Sequence, residues 1–269
     1  MKKVQMDYGR TGIEIDVPDS SEIIQTIQPK PVENERESIL AALQHPIDSH
    51  KISDMITRGS RVVITHSDIT RATPNSRILP IILQEIETNG VRREDITLLN
   101  ALGTHRKQTP QELCNLLGEK IYKSYHCEQH DAFSDSQLSL IGKTRNGNSI
   151  RLNKTLLQAD LKIFTGFIEP HFFAGFSGGP KAVLPALAGC ESVFTNHGYR
   201  MIKNPASTFN ITNGNPIWEE MKEAALMVNN TFLVNVTLNR QHQITNVFAG
   251  DVIKAHEKGC QFLKSTLIV

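Results

Sequence analysis

The sequence predicts an α/β fold: a mainly parallel, twisted sheet with helices on both faces and a hairpin at the N-terminus. The main observation is that a short apolar run, a polar or glycine-rich loop and a helical pattern follow one another three times along the chain. That alternation is typical of parallel strands joined by helical crossovers. The 269 residues suffice for one large domain or two small ones, and for a buried core that needs no disulfide bonds.

Two elements are predicted before the first of these units. Residues 3–17 are predicted to form a hairpin, because apolar and polar residues alternate on both sides of a turn at residues 9–12. Residues 33–44 are predicted to form a helix, since Ile39 and Leu43 recur on one helical face.

The three repeated units come next in the chain. Their predicted strands are residues 61–65, 96–99 and 161–164, and their loops are residues 67–74, 103–110 and 166–179. Helices are predicted at residues 78–89 and 111–117, with a short helical stretch at 191–195, a late strand at 232–236 and a last helix at 253–263. Residues 119–150 are interpreted as an irregular excursion with short strands. Because ligands of such sheets bind outside the carboxyl ends of the strands, the three loops are predicted to form the functional site.

Composition excludes several classes of protein. The 29 basic and 28 acidic residues give a net charge of +1, which argues against a nucleic-acid-binding domain. No stretch of about 18 apolar residues exists that could cross a membrane, and no apolar segment follows the N-terminal lysines as a secretory signal would require. The four cysteines are scattered without a Cys-X-X-Cys pair. We therefore expect reduced thiols in a cytoplasmic protein.

The first loop, residues 67–74, brings Asp68, Thr70 and Arg71 together ahead of a helix. The N-terminus of a helix and a guanidinium group both suit a phosphate or a carboxylate, so these residues are candidates for binding one. The alternative is a helix-capping loop with a local ion pair between Asp68 and Arg71.

The second loop places His105 just past the end of a predicted strand. The unperturbed pKa of histidine lies near neutrality, which suits a group that gives and takes protons during catalysis. The alternative is a loop histidine that is hydrogen-bonded for structural reasons.

The third loop is the most informative, because in residues 166–185 glycines and phenylalanines flank Glu169, His171 and Lys181. Glycines permit a close approach of the backbone to a ligand. Phenylalanines can exclude water, which lowers the pKa of a lysine and makes its amine nucleophilic. The segment is not a phosphate-binding P-loop, because Pro180 precedes the lysine and the Gly-Lys-Ser/Thr ending is absent. The alternative is a surface loop with a solvated lysine.

His197 follows the short helical stretch and is a candidate metal ligand, since a neutral imidazole suits nickel, zinc or copper. The alternative is a packed or surface histidine. Trp218, on a helix predicted after Pro216, is expected in the core or at an interface. Structural or surface roles are expected for the remaining histidines, which are His45, His50, His66, His126, His130, His242 and His256.

Taken in order, these segments resemble the N-terminal domain of the nickel-pincer-dependent lactate racemase family. The matching segments are residues 67–71, 103–106, 166–185 and 196–197, and the resemblance extends to residues 248–251 and the helix that follows. We therefore interpret residues 1–269 as one domain of this type. We expect the C-terminal domain of the family to be absent from this chain, and racemase activity to require that domain.

The resemblance implies an isomerase, a racemase or epimerase of a small, lactate-like 2-hydroxy acid that works by hydride transfer to a nickel-pincer nucleotide. This cofactor is a pyridinium mononucleotide whose thioamide and thiocarboxylate arms bind nickel. The implied roles are Lys181 as the cofactor tether, His197 as the nickel ligand, His105 and His171 as the acid–base pair, and Asp68, Thr70 and Arg71 as ligands of the cofactor phosphate or the substrate carboxylate. The implied partners are the substrate and the proteins of cofactor biosynthesis.

Two other functions are open at this point. The chain could be a non-catalytic α/β module that binds a nucleotide or the cofactor without chemistry. It could also be an unrelated metal hydrolase that uses Glu169, His171 and His197, which would require three protein ligands around an open metal position.

Overall fold

Six strands form the central sheet in the computed structural model, which describes residues 1–6, 8–9, 11–24 and 29–266. The strands, in chain order, are β1 (Lys2–Met6), β2 (Ile13–Val17), β3 (Val62–Ser67), β4 (Ile96–Ala101), β5 (His126–Gln129), β6 (Leu138–Lys143), β7 (Ser149–Asn153), β8 (Leu161–Phe167), β9 (Pro170–His171), β10 (Gly175–Phe176), β11 (Thr231–Leu238) and β12 (Ile244–Gly250). The helices are α1 (Glu35–Gln44), α2 (Ile52–Met55), α3 (Asn75–Thr88), α4 (Pro110–Leu117), α5 (Glu119–Ser124), α6 (Lys154–Gln158), α7 (Cys190–Asn196), α8 (Tyr199–Ile202), α9 (Pro216–Leu226) and α10 (Val252–Thr266). Short 3-10 turns lie at Arg93–Asp95, Asp135–Gln137 and Gly179–Ala182.

The central sheet has the order β12-β11-β8-β3-β4-β5. Every neighbouring pair is parallel except β11 and β12, which are antiparallel. The predicted mainly parallel sheet is therefore confirmed. Because β3, β4 and β8 run in the same direction, the loops that follow them leave the sheet at the same edge.

Helices cover both faces of this sheet, as predicted. Neighbouring residues of β8 point to opposite faces, so that Ile163 packs in one apolar cluster and Phe164 in the other. The cluster around Ile163 includes residues of α1 and α3, and the cluster around Phe164 includes Trp218 of α9 and residues of α10. Trp218 is thus a core residue, in agreement with the sequence.

The N-terminal hairpin is confirmed by the antiparallel pairing of β1 with β2. Arg10, which belongs to the predicted turn, lies outside the described residues.

The interpretation of residues 119–150 was incomplete. The region contains the expected short strands, β6 and β7, which form an antiparallel pair. However, β5 extends the central sheet beside β4, and it is followed by this hairpin instead of a helix. The four residues of β5 include His126, Glu128 and Gln129, and a short, polar edge strand lacks the apolar alternation that a buried strand shows. The antiparallel edge strand β12 was not predicted either.

The histidines outside the three loops have the structural or surface positions expected of them. His66, His130 and His256 are buried, and exposed positions are occupied by His45, His50, His126 and His242. All four cysteines are free thiols. Among the helices that the structure describes, none is both long and apolar enough to cross a membrane.

We expect Phe164→Ala to lower the free energy of unfolding by about 3–5 kcal/mol, because it removes a fully buried ring from the centre of the sheet. Urea unfolding at neutral pH measures this change. The control is Phe133→Ala, since Phe133 is 63% exposed and its loss should cost no more than about 0.5 kcal/mol. Equal costs for the two variants would contradict the assignment of Phe164 to the core.

Candidate functional site

The loops after β3, β4 and β8 meet around one cavity of about 290 Å³, which also receives residues of β11 and the end of α7. This volume lies near the lower limit of about 300–1,000 Å³ that is usual for small-molecule sites. The cavity walls contain six of the predicted site residues, which are Asp68, Arg71, His105, His171, Lys181 and His197. Thr70 is exposed and does not line the cavity.

In the first loop, the buried carboxylate of Asp68 organises its neighbours. One oxygen accepts hydrogen bonds from the hydroxyl of Thr70 at 2.6 Å and from the backbone N–H of Thr70 at 3.0 Å. The other oxygen is hydrogen-bonded to Nδ1 of His105 in the second loop. A carboxylate on Nδ1 fixes the orientation of an imidazole and leaves Nε2 for proton exchange. Thr70 therefore holds the carboxylate of Asp68 in place, and Asp68 orients the imidazole of His105.

The second loop is joined to the third by a backbone hydrogen bond. The N–H of Gly103 donates to the carbonyl of Ala186 at 2.8 Å, five residues after Lys181. Because both segments are tied at this point, His105 and Lys181 face the same cavity although they come from different strands.

In the third loop, Lys181 Nζ and His171 Nε2 are hydrogen-bonded at 2.8 Å. The other ring nitrogen, Nδ1, accepts the backbone N–H of Ala174 at 3.3 Å, so Nδ1 carries no proton. A neutral imidazole has one N–H, which must then be on Nε2. His171 is therefore the donor to Lys181, and only an uncharged amine has the lone pair to accept that bond.

The electrostatics of the cavity agree with an uncharged lysine. Burial, and secondarily the nearby positive charge of Arg71, lower the pKa of Lys181 to about 7, although Glu169 opposes the change. Burial also lowers the pKa of His171 to about 3, with additional contributions from Lys181 and Arg71. Both groups are thus uncharged above neutral pH, which differs from the alternative of a solvated surface lysine.

His197 follows α7 and presents a buried Nδ1 atom with no hydrogen-bond partner among the described residues. Burial, and secondarily the charge of Lys181, lower its pKa to about 4, so the imidazole is neutral at physiological pH. The ring of Phe173 packs edge-on against both His171 and His197, at centroid distances of 4.7 and 5.2 Å. A neutral imidazole is the state that a metal ligand requires.

The metal hydrolase alternative lacks its site. In the part of the chain that the structure describes, no three His, Cys, Asp or Glu side chains are grouped so that they could hold a metal ion. A metal at His197 would thus need most of its ligands from another molecule, such as an organic cofactor.

The cavity floor contains polar residues that the sequence analysis did not select. Thr65, Thr165 and Asn235 line it at the carboxyl ends of β3, β8 and β11. The hydroxyl of Thr65 is buried without a hydrogen-bond partner in the described structure. A polar residue inside an apolar strand of a parallel sheet is a detectable signal, and Asn235, between Val234 and Val236, shows it.

We expect the free energy of unfolding to fall as the pH decreases from 6.5 towards 4. Burial lowers the pKa of His66 and of His256 to about 4, whereas both are 6.5 without burial. Between these values the unfolded chain binds more protons than the folded protein, so acid stabilises the unfolded state. Each such histidine contributes about 1.4 kcal/mol per pH unit.

Urea unfolding of the native protein and of His256→Gln between pH 5 and 6 measures this contribution. The variant should show a slope that is smaller by about 1 kcal/mol per pH unit, since one titrating group is removed. Identical slopes would show that His256 is not held neutral by folding.

Comparison with known proteins shows that this chain is similar to lactate racemases. A family model described as the lactate racemase N-terminal domain matches residues 8–210. The lactate racemase of Thermoanaerobacterium thermosaccharolyticum is 36% identical over 275 aligned residues, which cover 100% of this chain and 64% of that protein. The lactate racemase of Lactiplantibacillus plantarum is 38% identical over 232 residues, covering 86% of this chain and 54% of that protein.

Solved structures agree with these sequence matches. The lactate racemase apoprotein of Thermoanaerobacterium thermosaccharolyticum superposes with a TM-score of 0.87 at 35% identity, over 98% of this chain and 63% of that one. A protein from Thermotoga maritima superposes with a TM-score of 0.71 at 22% identity, over 86% and 59% of the two chains, and so shares the fold. The chain thus spans less than two thirds of the length of the relatives it matches.

Proposed function

Because this chain belongs to the lactate racemase family through its N-terminal domain, we propose that it is the part of a racemase or epimerase that holds a lysine-tethered nickel-pincer mononucleotide. The substrate we propose is a small 2-hydroxy acid such as lactate. The observation that carries the proposal is the contact of Lys181 with His171 in a cavity that also contains His105 and His197.

The residues present fit such a cofactor. The uncharged amine of Lys181 is the nucleophile that a thioamide link would require, since a protonated lysine has no lone pair to attack the carbon of a thiocarboxylate. The C–N bond would form with loss of the thiocarboxylate oxygen as water, and the C=S group would be kept. The neutral imidazole of His197, which lines the cavity, would be the ligand of nickel. When bound, the nickel-pincer group supplies an acceptor for the hydrogen on the α-carbon of the substrate, which the protein side chains cannot provide.

The protein supplies the acid–base chemistry. Racemisation requires that the hydroxyl proton of the substrate be removed and returned for either enantiomer, which calls for two bases on different sides of one centre. His105 and His171 come from separate loops and line the same cavity. His105 is oriented by Asp68, and His171 is a neutral imidazole whose Nε2 contacts Lys181 in the cavity. Acylation of Lys181 would remove the lone pair that accepts the Nε2–H of His171. The ring could then adopt its other tautomer, whose unprotonated Nε2 can accept the proton of the substrate.

We propose two different roles for the three residues of the first loop. Thr70 and Asp68 orient His105, as their hydrogen bonds indicate. Arg71 lines the cavity and carries the positive charge that an anionic substrate or cofactor needs, so we assign the carboxylate or the phosphate to its guanidinium group.

We further propose that cofactor-biosynthesis proteins load this chain in the cytoplasm. Because the relatives are longer, we expect turnover to depend on the remaining part of a full-length racemase. We propose that the link to Lys181 forms within this chain, so that loading and turnover can be tested separately.

When the chain is produced together with the cofactor-making proteins, we expect a mass addition on Lys181 and bound nickel. Lys181→Arg should abolish both, because a guanidinium group does not form the thioamide. The matched control is Lys162→Arg: Lys162 is also buried with a pKa lowered by burial, but it bonds the carbonyl of Ala159 outside the cavity. Intact-mass and peptide mass spectrometry measure the addition. Unmodified protein that still racemises a 2-hydroxy acid would contradict the proposal.

His105→Ala and His171→Ala should each reduce racemisation by the full-length protein about 10²–10⁴-fold, the usual contribution of one acid–base group. Neither variant should remove the mass addition on Lys181. Polarimetry or chiral chromatography of 2-hydroxy acid substrates measures turnover. Undiminished turnover in both variants would favour a non-catalytic binding module.

A further inference from the structure

The turn that carries Lys181 is held by two residues from distant parts of the chain. The carbonyl of Ser177, just before the turn, accepts a hydrogen bond from Nε2 of His256 in α10 at 2.9 Å. The N–H of Gly179, within the turn, donates to the side-chain oxygen of Asn235 in β11 at 2.8 Å. The backbone is thus held at the carbonyl of Ser177 and at the N–H of Gly179, which lie four and two residues before Lys181.

These contacts explain why the turn contains Gly178 and Gly179. Both residues have positive φ, at 76° and 54°. A Cβ atom on Gly179 would lie 2.3 Å from the ring of His256, and one on Gly178 would lie 2.5 Å from the side-chain oxygen of Asn235. From the sequence, glycines in this loop are expected to permit a close approach of the backbone to a ligand. The structure shows that at these two positions the close approach is made by the protein itself.

His256 is in turn held in one orientation and one protonation state. It is fully buried, and its ring stacks on Trp218 with centroids 6.4 Å apart. Cys260 Sγ lies 3.5 Å from Nε2 and 3.7 Å from Nδ1. Because a carbonyl only accepts hydrogen bonds, the proton of this neutral ring must be on Nε2. At physiological pH, Nε2 of His256 therefore always carries the proton that it donates to the carbonyl of Ser177.

We propose that His256 and Asn235 are positioning residues that hold the glycine turn so that the amine of Lys181 meets His171 inside the cavity. This inference rests on the proposed function of Lys181 as the cofactor tether. His256 does not line the cavity, and it acts on Lys181 through the backbone. Asn235 acts through the backbone N–H of Gly179 and also forms part of the cavity floor.

The test follows the reactivity of Lys181 in the full chain without cofactor, so that it does not depend on the proposed chemistry. Acetic anhydride is applied from pH 5.5 to 9, and acetylation of Lys181 is read by peptide mass spectrometry. In the native protein the rate should rise with a midpoint near pH 7, which is where burial places the pKa of Lys181. The titratable or charged groups that face the amine are Arg71, Glu169, His171 and His197, and all of them stay unchanged.

In His256→Leu the donor to Ser177 is lost, the turn loosens and water reaches the amine. The midpoint should move up by at least about one pH unit, which corresponds to about tenfold slower acetylation at pH 6. His256→Gln, whose amide can still donate to Ser177, should keep the native midpoint. Asn235→Ala removes the acceptor of the Gly179 N–H and should shift the midpoint upwards as well, which gives a second test if His256→Leu does not fold.

The matched control is His130→Leu. His130 is also buried and its Nε2 bonds a backbone carbonyl, that of Ala188 at 3.0 Å, but it does not contact the glycine turn. Its loss should leave the midpoint unchanged. A folded His256→Leu or Asn235→Ala protein with the native midpoint would overturn the proposal, and so would an equal shift in His130→Leu. If the midpoints move as expected but the loaded protein shows no addition on Lys181, the proposed function fails and the positioning role stands.

Discussion

The chemistry of the cavity depends on one contact, the hydrogen bond between the amine of Lys181 and the imidazole of His171. A charged ammonium in a site that excludes water loses much of its hydration energy, so the amine releases its proton more readily than in solution. The positive charge of Arg71 acts in the same direction. An uncharged amine and a neutral imidazole are thereby maintained side by side near neutral pH, whereas the amine would be protonated on an exposed surface.

The fold supplies this environment by directing three loops to one edge of a parallel sheet. The loops after β3 and β4 contribute Asp68 and His105, and the loop after β8 contributes His171 and Lys181. Asp68 is hydrogen-bonded to His105, and His171 to Lys181. The backbone hydrogen bond from Gly103 to the segment after Lys181 joins these two pairs. The geometry of the site therefore depends on the register of the sheet, and on the core that stabilises it.

The sequence predicted the parts of this arrangement that depend on local pattern. Apolar, β-branched runs identified β3, β4 and β8, and chemically reactive residues at their ends identified the cavity. The role of Thr70 was not predictable, because an exposed hydroxyl can serve a ligand or a neighbouring carboxylate equally well. The roles of Asn235 and His256 were not predictable either, since their partners lie 56 and 79 residues away and meet them only through tertiary packing.

The most direct test of this account is the tautomer of His171, read from the imidazole ¹⁵N spectrum at pH 8 and assigned by comparison with a His171→Gln variant. If Lys181 is an uncharged amine that accepts a hydrogen bond, His171 must carry its proton on Nε2 and show an unprotonated Nδ1. If Lys181 is an ammonium ion, it must donate to Nε2 and the ring proton must be on Nδ1. The account predicts the Nε2–H tautomer, and a His171 protonated on Nδ1 would contradict it.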